Sequence, residues 1–217
     1  MGGVVEAMGR VAAGELRNAF CFIGAGGHHA GRNFFGGYCC FNDVVIATRQ
    51  ARRDGRLRRV AILDTDAHHA DGTRDLVAED SEILHVCICN TDYTSGDGTK
   101  VDVDARSRCG LGGSTDQLYL DLVRGAFPAR AMLFRPDVVV WYFGFDTHRG
   151  DYGDLGLTSK AFLGLASLSH DTAREVCNGR LLVVLGGGSL ADLASRLIPP
   201  IIARLAEQPP SGKPLDP

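Results

Sequence analysis

Short apolar runs recur along the chain at residues 19–23, 60–63, 83–89, 138–143 and 181–185, each bounded by glycine or charge. Runs of this length predict buried strands. Between them lie longer stretches, 4–16, 42–53, 115–135, 158–177 and 190–207, in which apolar residues return at intervals of three and four. That spacing gathers them on one face of a helix. Asn42, Thr115 and Thr158 stand at expected N-caps, where a short polar side chain accepts a backbone N–H left free by the first turn. Pro136 is placed to stop the third helix before its strand begins. Strands alternating with helices predict an α/β fold: a mainly parallel sheet covered on both faces, in three α/β/α layers.

The segment 90–113 breaks the pattern, being rich in glycine, serine and aspartate without periodicity, and is expected to be a long connection. Residues 1–208 are expected to form a single domain, because one α/β unit of this size buries most of its apolar surface in one core. The remaining 209–217, from the tail PPSGKPLDP, are expected to be a flexible end.

Charge and cysteine usage narrow the function classes. A formal charge of −3 gives no global attraction to nucleic acid, and the basic run from Arg49 to Arg59 is interrupted by Asp54 and Gly55. No nucleic-acid partner is expected. No apolar stretch approaches the roughly 20 residues that span a bilayer, and the start has no signal-peptide pattern, so no membrane partner is expected. The seven cysteines sit mostly inside apolar runs without a C-x-x-C pair, which fits a reducing, cytoplasmic setting.

The chemistry concentrates where strands end. In open α/β sheets, ligands bind outside the carboxyl ends of the strands. After the first run comes GAGGHHAG with His28 and His29; after the second, DTDAHHADG with Asp64, Asp66, His68, His69 and Asp71; after the fourth, GFDTHRGD with Asp146 and His148; after the fifth, GGGS. Alternate residues of an extended segment project to one side, so Asp64, Asp66 and His68 point together. One imidazole and two carboxylates, the second from Asp146 on another strand end, make three protein ligands and leave a position for water, as in catalytic Zn²⁺ sites. Fe²⁺ and Mn²⁺ also suit carboxylate-rich ligation. His28 and His29 are candidate acid/base groups, and Asp64 and Asp71 are carboxylates available to hold their second nitrogens.

GGHHAG followed by GGYCCFND, LDTDAHHADGT, GFDTHRGD with GLT after it, and LGGGS resembles the ordered motif set of the histone deacetylase and acetoin-utilisation-protein family, over about residues 3–207. The resemblance implies an arginase-like fold and Zn²⁺-dependent removal of an acyl group from an acylated amine, such as N-acetyl-lysine, an acetylpolyamine or a small acetylated metabolite. By the same resemblance Asp66, His68 and Asp146 match the metal ligands, His28 and His29 the acid/base pair with His29 the principal member, and Asp64 and Asp71 their carboxylate partners. Asp64, with backbone carbonyls near Asp66 and His68, falls where the family binds a structural K⁺. Three departures stand out. The family's oxyanion tyrosine after the glycine run is replaced by Leu190, its Phe-Pro-Gly-Thr-Gly stretch is replaced by a segment whose one aromatic is Tyr93, and its N-terminal region precedes the point where this chain starts. The last leaves two readings, a fragment of a longer protein or a natural short form, and for the short form a second copy or a partner subunit is expected to cover an exposed sheet edge. Leu190 raises the alternative of a catalytically weak acyl-binding or regulatory module that retains the metal.

Overall fold

The computed structural model describes residues 1–23, 26–109 and 115–207; the expected flexible end lies outside them. The helices are α1 (Gly2–Ala12), α2 (Asp43–Arg53), α3 (Asp71–Val77), α4 (Thr115–Ala126), α5 (Pro128–Phe134), α6 (Ser159–Cys177) and α7 (Ala191–Leu205). The strands are β1 (Asn18–Cys21), β2 (Val60–Asp64), β3 (Ile83–Cys89), β4 (Tyr93–Thr94), β5 (Lys100–Asp104), β6 (Val138–Phe143) and β7 (Leu181–Leu185). They form one seven-stranded sheet in the order β1-β7-β6-β2-β3-β5-β4. Every pairing is parallel except that of β4 with β5.

The apolar runs form these strands because both faces are covered. β2, β3, β6 and β7 are buried at every position, as a parallel sheet between helical layers requires. Alternation splits them between two cores. Leu63, Trp141, Phe143 and Val183 pack with α4, α6 and α7, whereas Ile62, Val140, Tyr142 and Val184 pack with α1 and α2. At one edge β1 is only half-buried along its length. The strand directions bring the C-terminal ends of β2, β6 and β7 to one rim.

Two expectations are corrected. Segment 90–113 is not a bare connection, since it contains β4 and β5. The sequence KVDVD concealed a strand because two of its charged residues, Lys100 and Asp102, are buried; the Lys100 ammonium donates to the carbonyls of Asp80 (3.0 Å) and Ile83 (2.8 Å). The helix expected over 115–135 is two. Pro128 sits in the first turn of α5, where its missing N–H costs nothing, and Thr115 is the first residue of α4 rather than its cap.

Two caps hold as expected. Thr158 accepts from the backbone of Lys160 at 3.3 Å, and Asn42 accepts from Val45 at 3.2 Å. Asn42 does more than cap. Its amide also donates to the Ala30 carbonyl at 3.3 Å and the Thr73 hydroxyl at 2.9 Å, tying the His28–His29 loop to α2 and α3. Replacing Asn42 by alanine removes the cap, worth about 1 kcal/mol, and strips a buried partner from each acceptor, at about 1–3 kcal/mol. A loss of about 2–4 kcal/mol in denaturant unfolding is expected. A loss below about 0.5 kcal/mol would show that the loop is held by other means.

Candidate metal centre

β2 ends in Asp64, and the chain turns through Asp66 and His68 before α3 starts at Asp71. Asp146 lies three residues beyond β6, whose register with β2 pairs Tyr142 with Asp64. The ligand atoms of Asp66, His68 and Asp146 consequently lie within 4.8 Å of one another. His68 Nδ1 is 2.9 Å from Asp66 Oδ1 and 3.1 Å from Asp146 Oδ2. Backbone N–H groups orient both carboxylates: His68 donates to Asp66 at 3.0 Å, and Ala67 to Asp146 at 3.2 Å. Asp64, though on the same side, is turned elsewhere. Its oxygens face His28 Nδ1 at 3.0 Å and the Asp66 N–H at 3.1 Å.

The two histidines are arranged alike and surrounded differently. His28 is buried, stacks on Tyr142 with centroids 4.9 Å apart, and brings Nε2 to 3.6 Å from Asp66. His29 places Nδ1 2.6 Å from Asp71 Oδ1, and that carboxylate is half exposed. The rings are 4.2 Å apart. Gly37 (φ +51°) forms the wall against His29, where a Cβ would come within 2.3 Å of the ring. A side chain there would be strained twice over.

Asp64, Asp66 and Asp146 are all buried around these imidazoles. Burial, followed by the charge of Asp66, pushes Asp146 up to about 7. Burial opposes protonation of His28, but Asp64, Asp66 and Asp146 outweigh it and raise it to about 9. Hydrogen bonds to Asp146 and then Asp66 raise His68 to about 10. This crowding of buried negative charge is what a divalent cation relieves. Two carboxylates and one imidazole nitrogen on the edge of a cleft fit Zn²⁺ with a side open to water.

The cleft has a volume of about 440 Å³, and its lining includes His28, His29, Tyr38, His68, Tyr152 and Gly186–Ser189. A Cβ on Gly187 would meet the Asp66 carboxylate at 2.2 Å and the Tyr152 hydroxyl at 2.8 Å, so only glycine lets these groups share the space. Leu190 is the N-cap residue of α7 and contributes no side-chain cap. Asp151 fills that role, accepting from the backbone of Ser189 at 2.9 Å and Leu190 at 3.2 Å and from the Ser189 hydroxyl at 2.7 Å.

Tyr152 was not singled out by the sequence reading. Its ring stacks on His68 with centroids 5.6 Å apart, and its hydroxyl accepts the Gly188 N–H at 3.0 Å. Burial raises the phenol further above its ordinary range, so it stays protonated. A tyrosine between glycines, six residues beyond Asp146 in GDYGD, was the available signal. Two other strand-end histidines do not join the centre. His148 donates its Nδ1–H to the Arg149 carbonyl at 2.8 Å and stacks on Phe162; His69 faces Cys89 and Asp102.

A parallel α/β/α sheet with this donor set at its strand ends defines a protein of the arginase/deacetylase fold. The HDA15 HD domain superposes with a TM-score of 0.80 at 25% identity, covering 96% of this chain and 61% of that one. Acetylpolyamine aminohydrolase from Burkholderia pseudomallei superposes at 0.73 and 25% identity, covering 88% and 56%. The chain belongs to the histone deacetylase domain family, whose domain matches residues 1–204. Histone deacetylase 14, chloroplastic, of Arabidopsis thaliana is 32% identical over 197 residues, 87% of this chain and 47% of that protein. A probable deacetylase of Archaeoglobus fulgidus is 29% identical over 201 residues, 86% and 54%. The chain thus spans about half the length of these relatives. Among the described residues, no helix is long and apolar enough to cross a membrane.

Proposed function

We propose that this chain carries the catalytic centre of a metal-dependent amide hydrolase that removes an acetyl-like group from an acylated amine. The observation that carries the reading is one cleft containing the Asp66–His68–Asp146 donor set and two imidazoles, each on its own carboxylate. Asp66 Oδ1, His68 Nδ1 and Asp146 Oδ2 would hold the ion, with Zn²⁺ the first choice and Fe²⁺ or Mn²⁺ compatible with the donors. Bound there, the ion supplies Lewis acidity to an amide carbonyl and lowers the pKa of water. Asp64, with carbonyls near Asp66 and His68, is retained in the proposal as a K⁺ position; a higher melting temperature in K⁺ than in Na⁺ would support it, and equal values would remove it.

Asp71 fixes the ring of His29, leaving Nε2 to take a proton from attacking water and return it to the departing amine. His28, buried between Asp64 and Asp66, supplies positive charge beside the ligands. Tyr152 takes the part that Leu190 lacks a hydroxyl to play. Its oxygen already accepts from Gly188, so its own proton is available to a developing oxyanion. The Ser189 hydroxyl is committed to Asp151. Exposed Tyr38 and half-exposed Tyr152 give the cleft aromatic walls for the alkyl stem of an amine.

The test is acetate release by the metal-loaded chain from an N-acetyl-lysine amide and an acetylpolyamine, beside trifluoroacetyl analogues. Turnover of an acetyl substrate is expected. Turnover of the trifluoroacetyl compounds alone would favour the second reading, a catalytically weak acyl-binding module, which Leu190 motivates. No turnover of any of them with metal bound would overturn the hydrolase reading for these substrates. Tyr152→Phe should lower kcat by about 10²–10³ at unchanged metal content, while Ser189→Ala stays near wild type. The reverse pattern would assign the oxyanion donor to Ser189.

A further inference from the structure

We infer a second metal site, separate from the cleft, in which His69, Cys87, Cys89 and Asp102 bind one Zn²⁺ as a four-ligand structural ion. Three elements build it. Cys87 and Cys89 alternate onto the same face of β3, Asp102 is the register partner of Cys87 on β5, and His69 comes from the turn between β2 and α3. Their ligand atoms all lie within 4.8 Å of one another. His69 Nδ1 is 3.8 Å from Cys89 Sγ and 3.7 Å from Asp102 Oδ2. Zinc bonds of about 2.3 Å to sulfur and about 2.0–2.1 Å to nitrogen or oxygen, at tetrahedral angles, put neighbouring ligand atoms about 3.3–3.8 Å apart. The side chains need little movement to close on an ion.

The surroundings are those of a built site. Asp102 Oδ1 is held by the Arg74 guanidinium, leaving Oδ2 on the side of His69, and such outer partners orient metal ligands. Ala70 packs against the two buried thiols. His69 and Asp102 also line an open depression of about 610 Å³, which gives an ion a path from solvent. His85 stands on the same face of β3, two residues before Cys87. It is fully buried, and neither ring nitrogen has a hydrogen-bond partner among the described residues.

Four protein ligands leave no open position, so this ion would staple rather than react. It would anchor the turn carrying Asp66 and His68 to β3 and β5. The inference does not depend on the hydrolase reading, and its test needs no turnover. Cobalt(II) loaded into the whole chain reports thiolate ligation by sulfur-to-metal charge-transfer absorption. The first centre has no sulfur ligand, so the band belongs to the second site alone. Two metal ions per chain and a clear band are expected. Cys87→Ser and Cys89→Ser should each lose the band and one ion, whereas Asp146→Ala should lose one ion and keep the band. Arg74→Ala should weaken retention of the thiolate-bound ion about 10–100-fold in chelator competition. Wild-type protein with cobalt bound and no charge-transfer band overturns the inference, whatever the folding of the cysteine variants.

Discussion

Replacing Asp146 by alanine is expected to remove the ion of the catalytic centre and reduce amide hydrolysis to background. In the proposed centre Asp146 would supply one of three protein ligands, and it faces His68 Nδ1 at 3.1 Å, so its loss would remove a donor and free the imidazole it orients. Asparagine in its place keeps the shape and the backbone contact from Ala67 but lacks the charge. The consequence extends to stability. At free metal about 100 times Kd, binding stabilises the native state by about 2.7 kcal/mol. At about 2–4 °C per kcal/mol in a chain of this size, that is a gain of about 5–10 °C in Tm. Wild type should show this gain at the catalytic centre and Asp146→Asn should not, with metal content read in parallel. The metal-free proteins should differ less. Burial and the neighbouring Asp66 charge disfavour the Asp146 carboxylate, which they push up to about 7, but that carboxylate also holds the His68 imidazole in its protonated form. The two effects oppose each other, so the Tm difference between metal-free Asp146→Asn and metal-free wild type should be smaller than the metal-bound one. If Asp146→Ala and Asp146→Asn both keep the wild-type response to metal, Asp146 is not a ligand.

The positions around this centre were legible in the sequence because strand ends are marked twice. Apolar runs announce the strands, and polar residues crowd immediately after them. Asp66, His68 and Asp146 follow from that reading, as do His28 and His29 in their loop. Tyr152 did not, because its place is set by contacts distant along the chain. It lies in a turn without periodicity, and its hydroxyl meets the backbone of Gly188, which arrives with β7. β5 was hidden for the opposite reason. Lys100 and Asp102 look like loop residues until the carbonyls of Asp80 and Ile83 and the guanidinium of Arg74 satisfy them inside the protein. α3 was hidden because DGTRDLV is short and begins within the ligand motif itself. Only the turn geometry shows that Asp71 both starts a helix and holds His29. Local pattern thus found the elements that bury apolar faces, and missed those whose polar groups are satisfied by partners elsewhere in the chain.

His29→Ala is expected to lower kcat by about 10²–10⁴, the span of a lost general acid/base, with the catalytic ion retained. The two histidines are separable by their surroundings. His28 is closed in by Asp64 and Asp66 and has an Nε2 only 3.6 Å from Asp66, a proposed metal ligand, so its substitution should disturb the ion as well as the rate. His29 is partly open to the cleft and pairs with a half-exposed carboxylate, so it can exchange protons with solvent between turnovers. The leaving group distinguishes the roles. An alkylamine must be protonated as it departs, whereas an arylamine leaves with less help. If His29 delivers that proton, the His29→Ala loss is larger on an acetyl-lysine alkyl amide than on an acetyl anilide, and Asp71→Asn shows the same selectivity in weaker form. His28→Ala should lose both substrates together, along with metal. Equal losses on the two leaving groups for His29→Ala would reduce His29 to a positioning residue. Selectivity appearing in His28→Ala instead would exchange the two roles while leaving the metal ligands where they stand.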